Sequence, residues 1–272
     1  MPAAVSELAR AKVNLELAVV GRRADGYHLL DSIVAFADVA DRLSFEEAQH
    51  FDLVLTGPFA GQAPLGDDNL IARAAQALFR AHRRPLLPVR VTLEKNIPLA
   101  SGLGGGSADA AAALRGLVAF SALDCSADLL HAIAAGIGAD VPVCLRSHAC
   151  QMSGVGEIVT PIAGFRPRHA VLVNPGSQVS TAAVFQEYHR TAREMVGDRC
   201  RNHLTAAAMK LAPVIAEVLD ELERQTGLEF ACMSGSGATC FGLFPSADQA
   251  AAAARRIEAG HPGWWCRATR LS

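Results

Sequence analysis

Four of the five residues from Gly102 to Gly106 are glycine, and they sit between two segments of opposite character. Before them, Val89-Arg90-Val91-Thr92-Leu93-Glu94 alternates apolar and polar residues, the period of a half-buried strand. After them, Ala108 to Phe120 is rich in alanine and leucine, which predicts a helix. A turn between strand and helix needs one or two glycines. Four remove every Cβ from a stretch of backbone that must approach something closely, and they permit positive φ. The N-terminus of the following helix adds unpaired N–H groups and a favourable dipole, so the segment reads as an anion cradle, with Ser107 adding a hydroxyl.

Two common glycine loops do not fit. A P-loop ends in Gly-Lys-Ser/Thr, and no lysine lies between Lys95 and the helix. A dinucleotide fingerprint counted from Gly102 requires glycine where Ser107 stands. The wider run, Pro98-Leu99-Ala100-Ser101-Gly102-Leu103-Gly104-Gly105-Gly106-Ser107-Ala108, instead resembles the phosphate-binding motif of the GHMP kinase superfamily. Ala11-Lys12-Val13-Asn14-Leu15 is similar to that family's N-terminal motif. Ser234-Gly235-Ser236-Gly237-Ala238-Thr239-Cys240-Phe241 is similar to its C-terminal glycine-rich motif.

The rest of the chain is compatible with this resemblance. Strands are predicted at Val13–Val20, Ser32–Ala37, Arg42–Glu46 and Phe51–Leu55, with an Asp-Gly turn at Asp25-Gly26. Asp67-Asp68-Asn69 offers a cap for a helix carrying Leu70, Ala74, Ala77 and Leu78 on one face. Later segments predict further helices near Thr181–His189, Ala212–Gln225 and Asp248–Ala259, and strands near Leu228–Met233, Ala238–Leu243 and Cys266–Leu271. Strands cluster early and helices follow, which indicates α+β. A soft boundary near Gly154–Gly156 divides the 272 residues into expected domains 1–155 and 156–272. The resemblance implies the two-lobed fold of the family, with the active site in the cleft between the lobes.

Composition narrows the partners. The net charge is -2, and Arg22-Arg23, Arg83-Arg84 and Arg255-Arg256 are isolated pairs, so no basic stripe suits a nucleic acid. The most apolar run, Ala110 to Leu123, is short and broken by Arg115, and the first residues lack the basic-then-apolar order of a signal peptide. A cytoplasmic protein with no membrane partner is therefore expected. Seven cysteines with no Cys-x-x-Cys spacing argue against a disulfide framework or a zinc site.

Within the superfamily, four further segments resemble a branch whose substrate is a cytidine diphosphate derivative of methylerythritol. They are Arg23-Ala24-Asp25-Gly26-Tyr27-His28, Gly138-Ala139-Asp140-Val141-Pro142, Gly154-Val155-Gly156-Glu157 and Asn174-Pro175-Gly176 with Ser180-Thr181. The resemblance implies transfer of a phosphoryl group from ATP, with Mg²⁺, to the substrate's 2-hydroxyl. It assigns Lys12 and Asp140 as the catalytic pair, and Asn69 and Lys95, with the glycine loop, to ATP. It assigns Asn14, Tyr27, His28, Thr181 and Phe185 to the substrate. The chemistry suits those types: Asp140 can take the hydroxyl proton while Lys12 orients the hydroxyl and stabilises charge. Tyr27 and Phe185 can stack on a base and His28 can bond its edge. Simpler readings stand beside these: a helix cap for Asn69, core packing for Phe185, a hairpin tip for Tyr27-His28. Mg²⁺ is expected to be held chiefly by the ATP phosphates rather than by a protein cage.

The chain departs from the family's usual pattern at four places: Arg10 for proline, Ala100 for glycine, Ala108 for a second serine, and Asn202-His203-Leu204 for Asn-Asp-Leu. Two rivals remain: a superfamily kinase acting on homoserine or a mevalonate derivative, and a sensor that has kept the fold but lost transfer.

Overall fold

In the computed structural model, residues 5–64, 66–191 and 201–272 are described. In order, the elements are β1 (Val5–Arg22), β2 (His28–Glu47), β3 (Asp52–Thr56), α1 (Leu70–Ala81), β4 (Val89–Glu94), α2 (Gly105–Ser121), α3 (Ala127–Ile137) and α4 (Val141–Arg146). They continue as β5 (Cys150–Gly154), β6 (Ile158–Pro161), β7 (Arg168–Asn174), α5 (Thr181–Thr191), α6 (Thr205–Leu211), α7 (Val214–Glu223), β8 (Phe230–Met233), β9 (Cys240–Phe244), α8 (Ala247–Gly260) and β10 (Trp265–Leu271).

Two compact units emerge, and both are discontinuous in sequence. Unit 1 comprises Met1–Ala11, Val39–Leu99 and Gly104–Ser147; unit 2 comprises Lys12–Asp38, Ala100–Leu103 and His148–Ser272. The sequence-based division after residue 155 falls between β5 and β6, and both strands belong to unit 2.

In unit 1, β4 pairs antiparallel with the end of β2, from Arg42↔Glu94 to Glu47↔Val89, and parallel with β3. Strict alternation along β4 buries Val89, Val91 and Leu93 on one face. Four helices complete the unit. α1 buries Ile71, Ala74, Ala75, Leu78 and Phe79, a stripe at helical spacing, and it packs on α2 and α3. α2 is buried nearly all round, from Ala108 to Leu114 and at Gly116 and Leu117, so it is the unit's central helix. Gly116 lets the Phe45 ring lie against it: a Cβ there would stand 2.2 Å from the ring.

In unit 2, β10, β7, β9 and β8 form an antiparallel series in that order. The start of β2 pairs antiparallel with β5, which forms a hairpin with β6. Along β7 the run from Ala170 to Asn174 is buried at every position, as befits a strand covered on both faces. Its core includes Val171, Val173, Ile215, Val218, Leu222, Phe244 and Ile257, with contributions from α5, α6, α7 and α8. The Asp25-Gly26 turn is present: Gly26 has φ +94°, Tyr27 N–H bonds Asp25 Oδ1 at 3.2 Å, and Arg23 N–H bonds Tyr27 O at 2.8 Å.

Candidate active site

The glycine loop changes unit twice, at residues 100 and 104. Ala100, Gly102 and Gly104 all have positive φ, at 48°, 77° and 63°. Glycine tolerates this freely, whereas Ala100, which stands where the family commonly has glycine, does not. The helix begins at Gly105, three residues before the alanine run, and Gly104 as N-cap supplies no capping side chain. The first-turn N–H groups of α2 therefore lack a side-chain acceptor and face the end at which an anion is stabilised. A Cβ on Gly106 would meet only Leu70 Cδ1, at 3.6 Å. Ser107 is half-buried, and Ala108 is buried with its N–H bonded to Gly104 O at 2.9 Å.

Gly102 packs against the C-terminal glycine motif. A Cβ there would stand 2.3 Å from Ser234 O and 2.9 Å from Gly237 N. The C-terminal glycine motif lies directly against it within unit 2. Ser234 Oγ donates to Gly102 O at 3.0 Å and accepts from Asn14 N–H at 3.1 Å, while Thr239 N–H donates to Ser101 O at 3.0 Å. Lys12 joins the same seam, its N–H donating to Leu103 O at 2.8 Å. Asn202, fully buried, braces the far side: its Nδ2 donates to Met233 O and Gly235 O, both at 2.8 Å. His203, where the family usually has aspartate, accepts from Val19 N–H through Nδ1 at 3.1 Å. The three sequence motifs thus meet, in unit 2, as one backbone assembly.

Asn14 is buried beside this seam. Its Nδ2 donates to Ser32 Oγ at 2.8 Å, while its Oδ1 is buried and has no hydrogen-bond partner among the described residues. A buried acceptor left unsatisfied by folding is costly and marks a place where a ligand can complete the set. Asp140 is the N-cap residue of α4 and partly buried, yet its side chain makes no capping hydrogen bond. Lys12 belongs to unit 2 and Asp140 to unit 1.

Unit 2 also carries an aromatic cluster. The His28 and Phe185 rings are stacked, with centroids 4.3 Å apart and planes at 16°. His189, one turn on from Phe185 along α5, shares a short hydrogen bond with His28 through the Nε2 atoms. Tyr27 beside them is 63% exposed, unusual for so large an aromatic side chain. Burial, then the neighbouring His189 and Arg22, holds the His28 pKa below its ordinary value. Thr181, the first residue of α5, bonds Ser236 of the C-terminal glycine motif, Oγ to Oγ, at 2.8 Å.

Asn69 and Lys95 have partners within unit 1. Asn69 Oδ1 caps α1 by accepting from Ile71 N–H at 2.9 Å, and its Nδ2 donates to Pro64 O at 2.8 Å. The Lys95 ammonium is buried between Asp41 and Asp109. A structural duty for both side chains therefore stands beside the nucleotide contact expected of them.

Three residues escaped the sequence reading. His189 was discoverable, since it lies four positions after Phe185 on one helix face. Asp41 and Asp109 lie 54 and 14 residues from Lys95, and no sequence pattern links them to it. Among the described residues, no group of three or more His, Cys, Asp or Glu could hold a metal ion, and no helix is long and apolar enough to cross a membrane.

Known proteins resemble the chain along nearly its whole length. Residues 69–148 match the model of the GHMP kinases N terminal domain, and residues 182–262 that of the GHMP kinases C terminal domain. A 4-diphosphocytidyl-2-C-methyl-D-erythritol kinase from Cereibacter sphaeroides is 46% identical, over 97% of this chain and 98% of its own. One from Bradyrhizobium diazoefficiens is 45% identical, over 100% and 99%. A crystal structure of 4-(cytidine 5'-diphospho)-2C-methyl-D-erythritol kinase superposes with a TM-score of 0.81 at 36% identity, covering 98% of this chain and 99% of that one. A homoserine kinase from Cytophaga hutchinsonii shares the fold, with a TM-score of 0.73 at 16% identity, over 100% of this chain and 95% of its own. The chain belongs to the GHMP kinases, as a small-molecule kinase in the family of the 4-diphosphocytidyl-2-C-methyl-D-erythritol kinases.

Proposed function

We propose that this protein transfers the γ-phosphoryl group of ATP to the 2-hydroxyl of 4-diphosphocytidyl-2-C-methyl-D-erythritol, a step in non-mevalonate isoprenoid precursor synthesis. The observation that carries the substrate half of this reading is the aromatic cluster of unit 2. A stacked His28–Phe185 pair beside an exposed Tyr27 suits a planar base, which homoserine and mevalonate lack. The relatives' names support the same substrate.

In this reading, the first turn of α2 and the glycines before it receive the nucleotide phosphates through backbone N–H groups, with Ser107 as the loop's hydroxyl. Backbone donors hold their positions without side-chain reorganisation, which is what phosphoryl transfer asks of a protein. The 2-hydroxyl oxygen attacks the γ-phosphorus, the bond to the ADP oxygen breaks, and the hydroxyl proton passes to the Asp140 carboxylate. Lys12 orients that hydroxyl and offsets the negative charge spreading over the transferred group. Asn14, through its unsatisfied Oδ1, accepts a hydrogen bond from the bound substrate. Thr181 serves the diphosphate or cytidine end, and Tyr27, His28 and Phe185 hold the base. Asn69 and Lys95 shape the adenosine end from within unit 1. Mg²⁺ arriving with the nucleotide would neutralise phosphate charge.

The Asp140→Asn variant tests the chemistry. It removes the proton acceptor while keeping the side-chain shape, so turnover should fall by about 10²-fold or more, the scale of a lost general base, with ATP affinity nearly unchanged. Near-normal turnover would rule out the base role.

A further inference from the structure

Beneath the first turn of α2 lies a buried charge cluster whose two carboxyls, Asp41 and Asp109, have no part in the proposed chemistry. Lys95, at the end of β4, is 1% exposed, Asp41 of β2 is 0% and Asp109 of α2 is 5%. The Lys95 ammonium bonds Asp41 Oδ2 and, at 2.7 Å, Asp109 Oδ2. It also sits only 3.1 Å from where a Cβ on Gly105 would stand, so it lies against the first residue of α2. The two carboxyls are not equivalent. Asp41 accepts a further pair of hydrogen bonds, from the Asn96 and Ile97 N–H groups, through Oδ1. Asp109 Oδ1 is buried and accepts none among the described residues.

One ammonium cannot balance two ionised carboxylates, and an uncompensated charge in a dry interior is costly. That charge would also be negative, and it would lie under the helix end expected to hold a polyanion. A proton on the poorly solvated acid removes both costs. We propose that Asp109 is a positioning residue for the nucleotide, acting in its protonated form with Lys95 and Asp41 to hold an electrically neutral base under the first turn of α2. The inference rests on the reading that the nucleotide phosphates lie at this helix end. The charged groups acting on the Asp109 carboxyl are Lys95 and Asp41: burial pushes it up, Lys95 pulls it down and Asp41 raises it again, to about 8. Lys95 feels burial in the opposite direction, but the two carboxyls outweigh it and raise its pKa. The proton is therefore kept at neutral pH and given up as the pH rises past the folded-state value.

Calorimetric titration with ADP from pH 7 to 9.5 tests the idea in the native protein and in the Asp109→Asn and Asp109→Ala variants. The native protein should lose at least about threefold in ADP affinity across this range. Asp109→Asn, which keeps the neutral shape permanently, should stay within about twofold of its own pH 7 value and of the native value there. Asp109→Ala, which leaves a hole beside Lys95, should bind ADP at least about fivefold more weakly at pH 7, with KM for ATP raised more than kcat is lowered. Parallel pH profiles in the native protein and Asp109→Asn would overturn the proposal, as would a tenfold loss of affinity in Asp109→Asn at pH 7. These two results remain decisive if the alanine variant does not fold. Absence of ADP binding in the native protein would instead overturn the phosphate-loop reading on which the proposal stands.

Discussion

Replacing Gly102 with alanine should destabilise the fold, not merely weaken a ligand. The new Cβ would stand 2.3 Å from Ser234 O, whereas ordinary contact begins at 3.4 Å, so one of the two glycine loops must move by about 1 Å. Overpacking of this kind costs about 1–3 kcal/mol. The φ of +77° adds about 1–2 kcal/mol for an L-residue. The sum is about 2–5 kcal/mol. With a denaturant slope near 3 kcal/mol per molar in urea, the unfolding midpoint should fall by roughly 0.7–1.7 M. Gly106→Ala is the matched control. Its Cβ would meet only Leu70 Cδ1 at 3.6 Å and its φ is not positive, so its midpoint should be unchanged or slightly higher. Urea unfolding followed by circular dichroism compares the two. A native midpoint in Gly102→Ala, or equal losses in both variants, would refute the division between a tightly packed glycine and one with room around it.

Ala100→Gly relieves a φ of +48° and should raise stability by about 0.5–1 kcal/mol, read as a higher melting temperature; a lower one would show that the methyl group packs usefully. Tyr27→Ala removes a ring that is mostly exposed in the protein itself. It should raise KM for the cytidylyl substrate about tenfold and leave KM for ATP and the melting temperature unchanged. An unchanged substrate KM would count against stacking.

Local pattern carried much of the fold. The alternation of β4 follows from its period and α1 begins after its Asn69 cap, but the buried stripe of α1 runs through Ile71, Ala75 and Phe79 rather than Leu70 and Ala77. β2 is one strand, not two, because Asp41, which interrupts the apolar pattern, is satisfied inside the sheet by Lys95, 54 residues away. α2 starts within the glycines, where low intrinsic propensity is overridden by the packing of a helix buried nearly all round. α4 and α6 were not anticipated: at 6 and 7 residues they span no more than two turns, too few for a helical period to show. At the site, the three motifs were legible as motifs, but that Gly102 packs against the Ser234 carbonyl was not. The Asn202-His203-Leu204 departure likewise became interpretable only in space. Asn202 braces the second glycine loop, and the His203 side chain serves as an acceptor for the Val19 N–H of β1.

The central claim is the choice of substrate. An ADP-release assay offered 4-diphosphocytidyl-2-C-methyl-D-erythritol, homoserine and mevalonate in separate reactions, each with ATP and Mg²⁺, tests it most directly. The account predicts turnover with the cytidylyl substrate alone, with the new phosphate ester on its 2-hydroxyl by NMR. Turnover with homoserine or mevalonate in its place, or with none of the three, would contradict it.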